Sequence, residues 1–430
     1  MEVKYIYSAC IQVKTSDLTI LTDPWFTDGA YDGSWYQFPK IDPFKYIDEP
    51  DYIYISHIHP DHYDAIFLNK LFERFGKKPI LIPDLKNNYL LFKGKFDGLE
   101  MTPTRELNIK KTSIYIEEND TGSVSDIDSA LVIHDHLTQK TLLNLNDCIF
   151  NQKHINQLNK ILSNLDTSLD LLALGYTGAG PFPQTYYDHK NNVQELEDKA
   201  SQKKEEFFMR YRNYIKHFPA TYNLPFAGEY ILGGCLSHLN NFRGVSDAFE
   251  VKDFDSKALV LKNGGSVNLE SNCINNERTA MYSNEEMEKR INYVAEKKLD
   301  YETEIGLPFN KINFLRLIKK SAMNALKKSE IDFGYHFILT PTYQNKIMGK
   351  FIINCENGDV KQVPLNFSPE ESGLGVYSEI LIDYRYLYGL LTTVYHWNNA
   401  EVGSHFMTYR HPVENYNVEV QSFLNFFTAA

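Results

Sequence analysis

The stretch YISHIHPDHYD, from Tyr54 to Asp64, places the tightest limit on how this chain can fold. His57, His59, Asp61, His62 and Asp64 fall within eight residues, directly after the apolar run YIYIS. Such side chains converge on one point only if the backbone behind them is rigid, and a buried strand end is such a platform. In extended chain, residues two apart point the same way, so His57 and His59 face one side. The turn at Pro60 then swings Asp61 and His62 toward a second position. Imidazole and carboxylate at this spacing suit metal ions. Helix capping explains less, because Asp61 or Asp64 could cap the following AIFLNKLF run without any histidine nearby.

The chain has 430 residues, more than the roughly 250–300 over which a single hydrophobic core keeps growing. Two domains are expected, residues 1–255 and 256–430. In the first, YIYSACIQVK, LTILTDPWF, YIYIS, KPILIPD, LNIKKTSIYIEE, SALVIHD, TLLNLND and LDLLALGY have the length and patterning of strands. Helices are expected at AIFLNKLFERFG, with Gly76 as C-cap, at HINQLNKILSNL, and from Asn191 to Phe218. In the second, Ser283 and Glu286 form an S-x-x-E capping box, and NFLRLIKKSAMNALKK supplies another helix. YHFILTPTY, KIMGKFIINC, DVKQVPLNF and SEILIDYRYLYGLL then predict a small sheet, so this domain is α+β.

A formal net charge of −12 argues against a nucleic acid partner. No run of 18 uncharged apolar residues occurs and the N-terminus has no apolar signal core, which predicts a cytoplasmic protein with no membrane partner. Five cysteines lie far apart, with no CxxC pair, so reduced thiols are expected.

With HIHPDH in place, the chain resembles the metallo-β-lactamase superfamily, whose hallmark is this H-x-H-x-D-H loop after a buried strand. The resemblance implies an α/β fold, an αββα sandwich of two sheets with helices outside, holding two divalent metal ions (iron, zinc or manganese). It implies His57, His59, Asp61 and His62 as ligands. Asp23, in ILTDPWF, would brace the histidine loop, and Asp147, in TLLNLNDC, would bridge the ions. A narrower resemblance comes from LTDPWF, YISHIHPDH, NLNDC, GYTGAGPFPQTY and LPFAGEY in that order. Over roughly residues 1 to 240 they are similar to the catalytic portion of the CMP-N-acetylneuraminate hydroxylase family and its bacterial relatives.

Two departures bear on function. The chain lacks the Cys-x-His pairs of a Rieske cluster, so oxygenase chemistry would need an outside electron donor. The family's histidine ahead of the bridging aspartate is also missing, and Asp126 or Asp128 could substitute. His134 and His136 fall at a hairpin tip and read as surface residues. His238 stands where the family's last histidine is expected, and is equally a loop histidine. In GYTGAGPFPQTY, Tyr176 and Gln184 are the expected substrate contacts, with Glu229 a weaker candidate. In YHWNNAEVGSHF, Trp397, the two asparagines and Glu401 could form an aromatic-floored polar site, but the reading preferred is a packed ring with turn-forming asparagines; the segment faintly resembles sterol-carrier-like domains, which implies an apolar pocket or a homo-oligomer contact.

Two close metal ions activate water and clamp attacking and leaving oxygens, with Asp61 placed to accept and return a proton. The expected activity is hydrolysis of an ester, amide or phosphodiester bond of a small-molecule anionic substrate. Diiron oxygenation of an N-acyl sugar is the alternative, and a non-catalytic binding protein a third.

Overall fold

The computed structural model describes residues 1–122, 126–189, 191–329, 331, 334–413 and 418–430. Its first sheet has eight strands, ordered Cys273–Glu277, Leu261–Asn268, Glu2–Tyr7, Cys10–Lys14, Thr19–Thr22, Tyr52–Tyr54, Ile80–Ile82 and Met101–Pro103. The last four run parallel. Their carboxyl ends therefore share one edge, where open α/β sheets place their ligands. Asp23 and the histidine loop both emerge there.

A second sheet of six strands is ordered Ala220–Phe226, Leu169–Gly175, Lys140–Asn144, Ser129–Asp135, Thr112–Glu118 and Glu106–Ile109. Between the two sheets lies an apolar layer that includes Val3, Ile11, Val13 and Ile20 from the first, and Ile114, Leu131, Ile133 and Leu171 from the second. Helices cover the outer faces. Ala65–Phe75 buries Phe67, Leu68 and Leu71 on the first sheet, while Gln152–Asn164 and Val193–His217 bury Ile155, Leu158, Phe208, Tyr211 and Tyr214 on the second. This is the αββα sandwich the sequence implied. Beneath the metal-loop edge a polar tie joins its halves: the Tyr54 hydroxyl lies 2.7 Å from Ser129 Oγ and accepts from Asn146 Nδ2 at 3.3 Å.

A third sheet, ordered Val360–Val363, Lys350–Asn354, His336–Tyr343, Tyr377–Asp383 and Phe406–His411, forms the additional C-terminal unit, with Lys346–Ile347 paired to His336–Tyr343. Strands Leu261–Asn268 and Cys273–Glu277 belong to the first sheet, since Val3 pairs with Val267. We propose that the division between units falls after Glu277 rather than at residue 255.

Two local expectations change. SEILIDYRYLYGLL is strand only through Asp383; Tyr384–Leu391 is a helix, because Asp383 caps it by accepting from the Arg385 backbone N–H. His134 is buried, with Nδ1 2.9 Å from Thr141 Oγ1, although the turn beyond it is indeed the hairpin tip.

Candidate metal centre

The histidine loop begins where the strand Tyr52–Tyr54 ends. Ser56 is its first anchor: its backbone N–H and its hydroxyl both donate to the Asp23 carboxylate, each at 2.7 Å. Asp23 sits in left-handed backbone (φ 37) and is buried, so its carboxylate is fixed beneath the loop. Its Oδ2 also lies 3.0 Å from His62 Nδ1. A carboxylate oxygen accepts, so His62 carries a proton on Nδ1 and turns Nε2 outward. That nitrogen faces Asp61 Oδ2 at 3.6 Å and Asp147 Oδ2 at 3.5 Å. His57 is oriented in the same way. Its Nδ1 meets Ser56 Oγ at 2.9 Å, and its Nε2 faces His59 Nδ1 at 2.8 Å.

Asp147 arrives from the other sheet. The strand Lys140–Asn144 ends below the site, and Asn146 in left-handed backbone (φ 47), which asparagine tolerates, turns the chain so that Asp147 meets the imidazoles. Ligand atoms of His57, His62 and Asp147 all lie within 4.8 Å of one another. His57 and His62 are each 1% exposed, whereas the Asp147 side chain is 37% exposed and forms the open side.

The charges are strongly coupled. Burial raises the Asp147 carboxyl, but His62, His57 and Arg210 outweigh it and hold the group below the usual carboxylate range. Burial followed by the charge of Asp147 pushes Asp128 up to about 6. Burial, His62 and His59 depress the His57 imidazole. For His62 burial acts downward too, yet Asp61, Asp147 and Asp23 prevail and raise it well above its ordinary value.

These residues fit a metal. The Nδ1 atoms of His57 and His62 are taken by Ser56 and Asp23, which leaves both Nε2 atoms turned toward other ligand-type atoms. The His62–carboxylate separations exceed the roughly 2.7–3.2 Å of a well-formed hydrogen bond, and mixed imidazole and carboxylate donors suit zinc, iron or manganese.

Other expected residues sit elsewhere. Asp128 Oδ1 lies 3.9 Å from His57 Nδ1, behind that ring, and Asp126 accepts from the Thr121 backbone N–H at 2.7 Å in its own loop. His238 is not brought to the cluster. It lies on the 3-10 segment Gly234–Phe242, with Nδ1 2.9 Å from the Cys235 carbonyl and its ring 5.6 Å from that of His189. Tyr176 is buried in the layer outside the second sheet. Gln184, 1% exposed, donates from Nε2 to the Gly180 carbonyl at 2.7 Å and to Ser404 Oγ at 3.0 Å. Both therefore pack within the protein. Glu229 is also buried, accepting from the Tyr5 hydroxyl at 2.9 Å.

Sequence reasoning passed over three contributors. The Tyr31 hydroxyl donates to Asp61 Oδ1 at 2.6 Å. Ser56, adjacent to His57, could have been found from that adjacency. Asn398 Oδ1 lies 3.2 Å from His59 Nε2; it belongs to the WNNAE segment whose asparagines were read as turn formers.

Residues 2–161 match the family described as Beta-lactamase superfamily domain. Among curated proteins, the chain is 29% identical over 258 residues to a Mycobacterium tuberculosis protein provisionally named a Rieske 2Fe-2S iron-sulfur protein, covering 56% of this chain and 46% of that one. It is 26% identical over 246 residues to a cytidine monophosphate-N-acetylneuraminic acid hydroxylase of Asterias rubens, covering 54% and 35%. The chain thus spans less than half the length of these relatives. A solved structure described as a possible metal-dependent hydrolase from Veillonella parvula superposes with a TM-score of 0.42 at 13% identity, covering 62% of this chain and 98% of that one. The matched segment holds the HIHPDH loop, Asp23 and Asp147 together, and over residues 2–161 this chain is similar to a beta-lactamase superfamily domain.

Proposed function

We propose that the chain is a dinuclear metal-dependent enzyme that hydrolyses an ester, amide or phosphodiester bond of a small anionic metabolite. The observation that carries this reading is the convergence of His57, His62 and Asp147 from two sheets, with His59 and Asp61 at its edge. Divalent cations held there would polarise the substrate's reacting oxygen and activate water. The chain's own residues divide the remaining work. Asp23 and Ser56 fix the imidazoles. Asp61, held at Oδ1 by Tyr31, keeps Oδ2 available to accept a proton from the attacking water and return it to the leaving group. Arg210, whose charge reaches Asp147 and Asp128 and whose guanidinium lies 4.8 Å from the Phe207 ring centre, supports an anionic substrate. Five free cysteines support a reducing cytoplasm as its place of work.

A second reading, diiron oxygenation of an N-acyl sugar with electrons from a separate donor protein, is favoured by two observations. The match to a named hydroxylase covers 54% of the chain, and Asp128 places a half-buried carboxylate 3.9 Å from His57 Nδ1. The test is turnover of ester, amide and phosphodiester probes by protein loaded with zinc or with iron, read beside oxygen uptake under a chemical reductant. Hydrolysis that disappears in His62→Ala supports the first reading. Reductant-dependent oxygen uptake by the iron form, without hydrolysis, would replace it with the second.

A further inference from the structure

We propose that the C-terminal unit is a working part of the metal centre: Asn398 orients His59, while Tyr386 and His405 fix the turn that sets the Tyr31 hydroxyl on Asp61. The inference rests on the metal reading above and assigns the added sheet a role within it.

The first limb concerns His59. Its Nδ1 faces His57 Nε2 at 2.8 Å, and its Nε2 faces Asn398 Oδ1 at 3.2 Å, across 339 residues of sequence. An amide carbonyl oxygen can only accept. Nε2 of His59 therefore carries the proton, and Nδ1 turns its lone pair to the side where His57 presents its own. Without the Asn398 oxygen, either tautomer would serve and the half-buried ring could rotate. Asn398 lies on the short helix Trp397–Val402, which Trp397 anchors by donating from Nε1 to the Phe427 carbonyl at 2.8 Å.

The second limb concerns Asp61. Tyr31 (φ 54, ψ 60) and Asp32 (φ 57, ψ 41) occupy successive left-handed positions, a conformation disfavoured for non-glycine residues. Something outside the turn must hold it. The Tyr31 carbonyl accepts from His405 Nε2 at 2.7 Å, and the Asp32 carboxylate accepts from the Tyr386 hydroxyl at 2.6 Å, 374 and 354 residues away. Gly33 (φ +89) closes the turn against Leu299 and Asp300, where a Cβ would come within 2.9 Å of the Asp300 backbone nitrogen. So held, the Tyr31 ring rests 4.5 Å from that of Trp35 and its hydroxyl reaches Asp61. Both ends of the metal cluster thus receive their outer support from residues beyond 380.

Ordinary packing between two units would leave metal affinity alone. The test is zinc affinity of the full chain, read by competition with a chromophoric chelator, for wild type, His62→Ala, Asn398→Ala, Asn398→Asp and Tyr386→Phe, with thermal unfolding in parallel. Asn398→Ala should weaken zinc binding roughly 10–100-fold, the usual effect of losing a ligand-orienting partner. Asn398→Asp, which keeps an acceptor oxygen, should recover most of it. Tyr386→Phe removes one oxygen atom and reads the second limb even if alanine at 398 unfolds the chain; it too should weaken binding. Zinc lost in His62→Ala but held within twofold of wild type by Asn398→Ala and Tyr386→Phe overturns this inference alone. A wild-type chain that takes up no zinc overturns the metal reading with it.

Discussion

Asp23 Oδ2 lies 3.0 Å from His62 Nδ1, across 39 residues, and the same carboxylate holds the backbone and hydroxyl of Ser56. One buried acid thus sets the start of the metal loop and the tautomer of its last histidine.

Replacing that acid should therefore cost both stability and metal. Asp23→Ala leaves the buried Ser56 N–H without its partner and the His62 Nδ1–H with only the longer contact to Ser56 Oγ at 3.2 Å, each loss worth about 1–3 kcal/mol. Chemical denaturation should show a loss on the order of 3 kcal/mol, and zinc affinity of the folded protein should fall roughly 10–100-fold. An unchanged denaturation midpoint would remove Asp23 from this role.

Tyr31→Phe separates packing from hydrogen bonding, because the ring keeps its place beside Trp35 while Asp61 loses its 2.6 Å donor. Stability should change by no more than about 1 kcal/mol. After dialysis the variant should retain less metal than wild type, since the lost donor steadies one ligand rather than the fold. Equal retention would show that Asp61 needs no such support.

Glu229 offers a test at a group outside the cluster itself. Burial raises its carboxyl to about 7, against the pull of Arg278 and the hydrogen bond from Tyr5. The folded form thus holds a proton that the unfolded chain releases at about 4.3. Stability from this group is present at low pH and is lost as pH rises through about 4 to 7, by on the order of 3 kcal/mol. Glu229→Gln should flatten that part of the stability profile. An identical slope in the variant would mean that the Glu229 proton is not involved.

Metal binding should itself stabilise the fold. A ligand at 100 times its dissociation constant contributes about 2.7 kcal/mol. Zinc or iron(II) should raise the unfolding temperature, excess chelator should reverse the rise, and Asp147→Ala should show neither effect. A rise of equal size in Asp147→Ala would locate the ion elsewhere.

The histidine–aspartate cluster was legible because most of its residues come from one short loop, where spacing alone fixes direction. Asp147 could be read because apolar alternation up to Asn146 marks a strand, and a strand places its tip predictably. Tyr31 and Asn398 gave no such signal: one depends on a left-handed turn, the other on how a distant unit folds back onto the loop. His238 was misleading because position along the chain says little about direction in a 3-10 segment. The helix Tyr384–Leu391 looked like strand because tyrosine favours sheets, yet the Asp383 cap and the buried side chains at 387, 390 and 391 decide for helix. Gln184 was expected to face substrate because glycine-rich loops often do; Ser404, in the turn before the strand Phe406–His411, covers it, and that turn's position was invisible locally.

The central claim is that the loop at His57 and the strand tip at Asp147 enclose metal. Elemental analysis of the full chain, purified without added metal or affinity-tag histidines, tests it most directly when His57→Ala, His62→Ala and Asp147→Ala are carried through the same preparation. Near-stoichiometric zinc, iron or manganese is expected in wild type and a clear loss in each variant, all three remaining folded by circular dichroism. Variants that keep the wild-type metal content would contradict it.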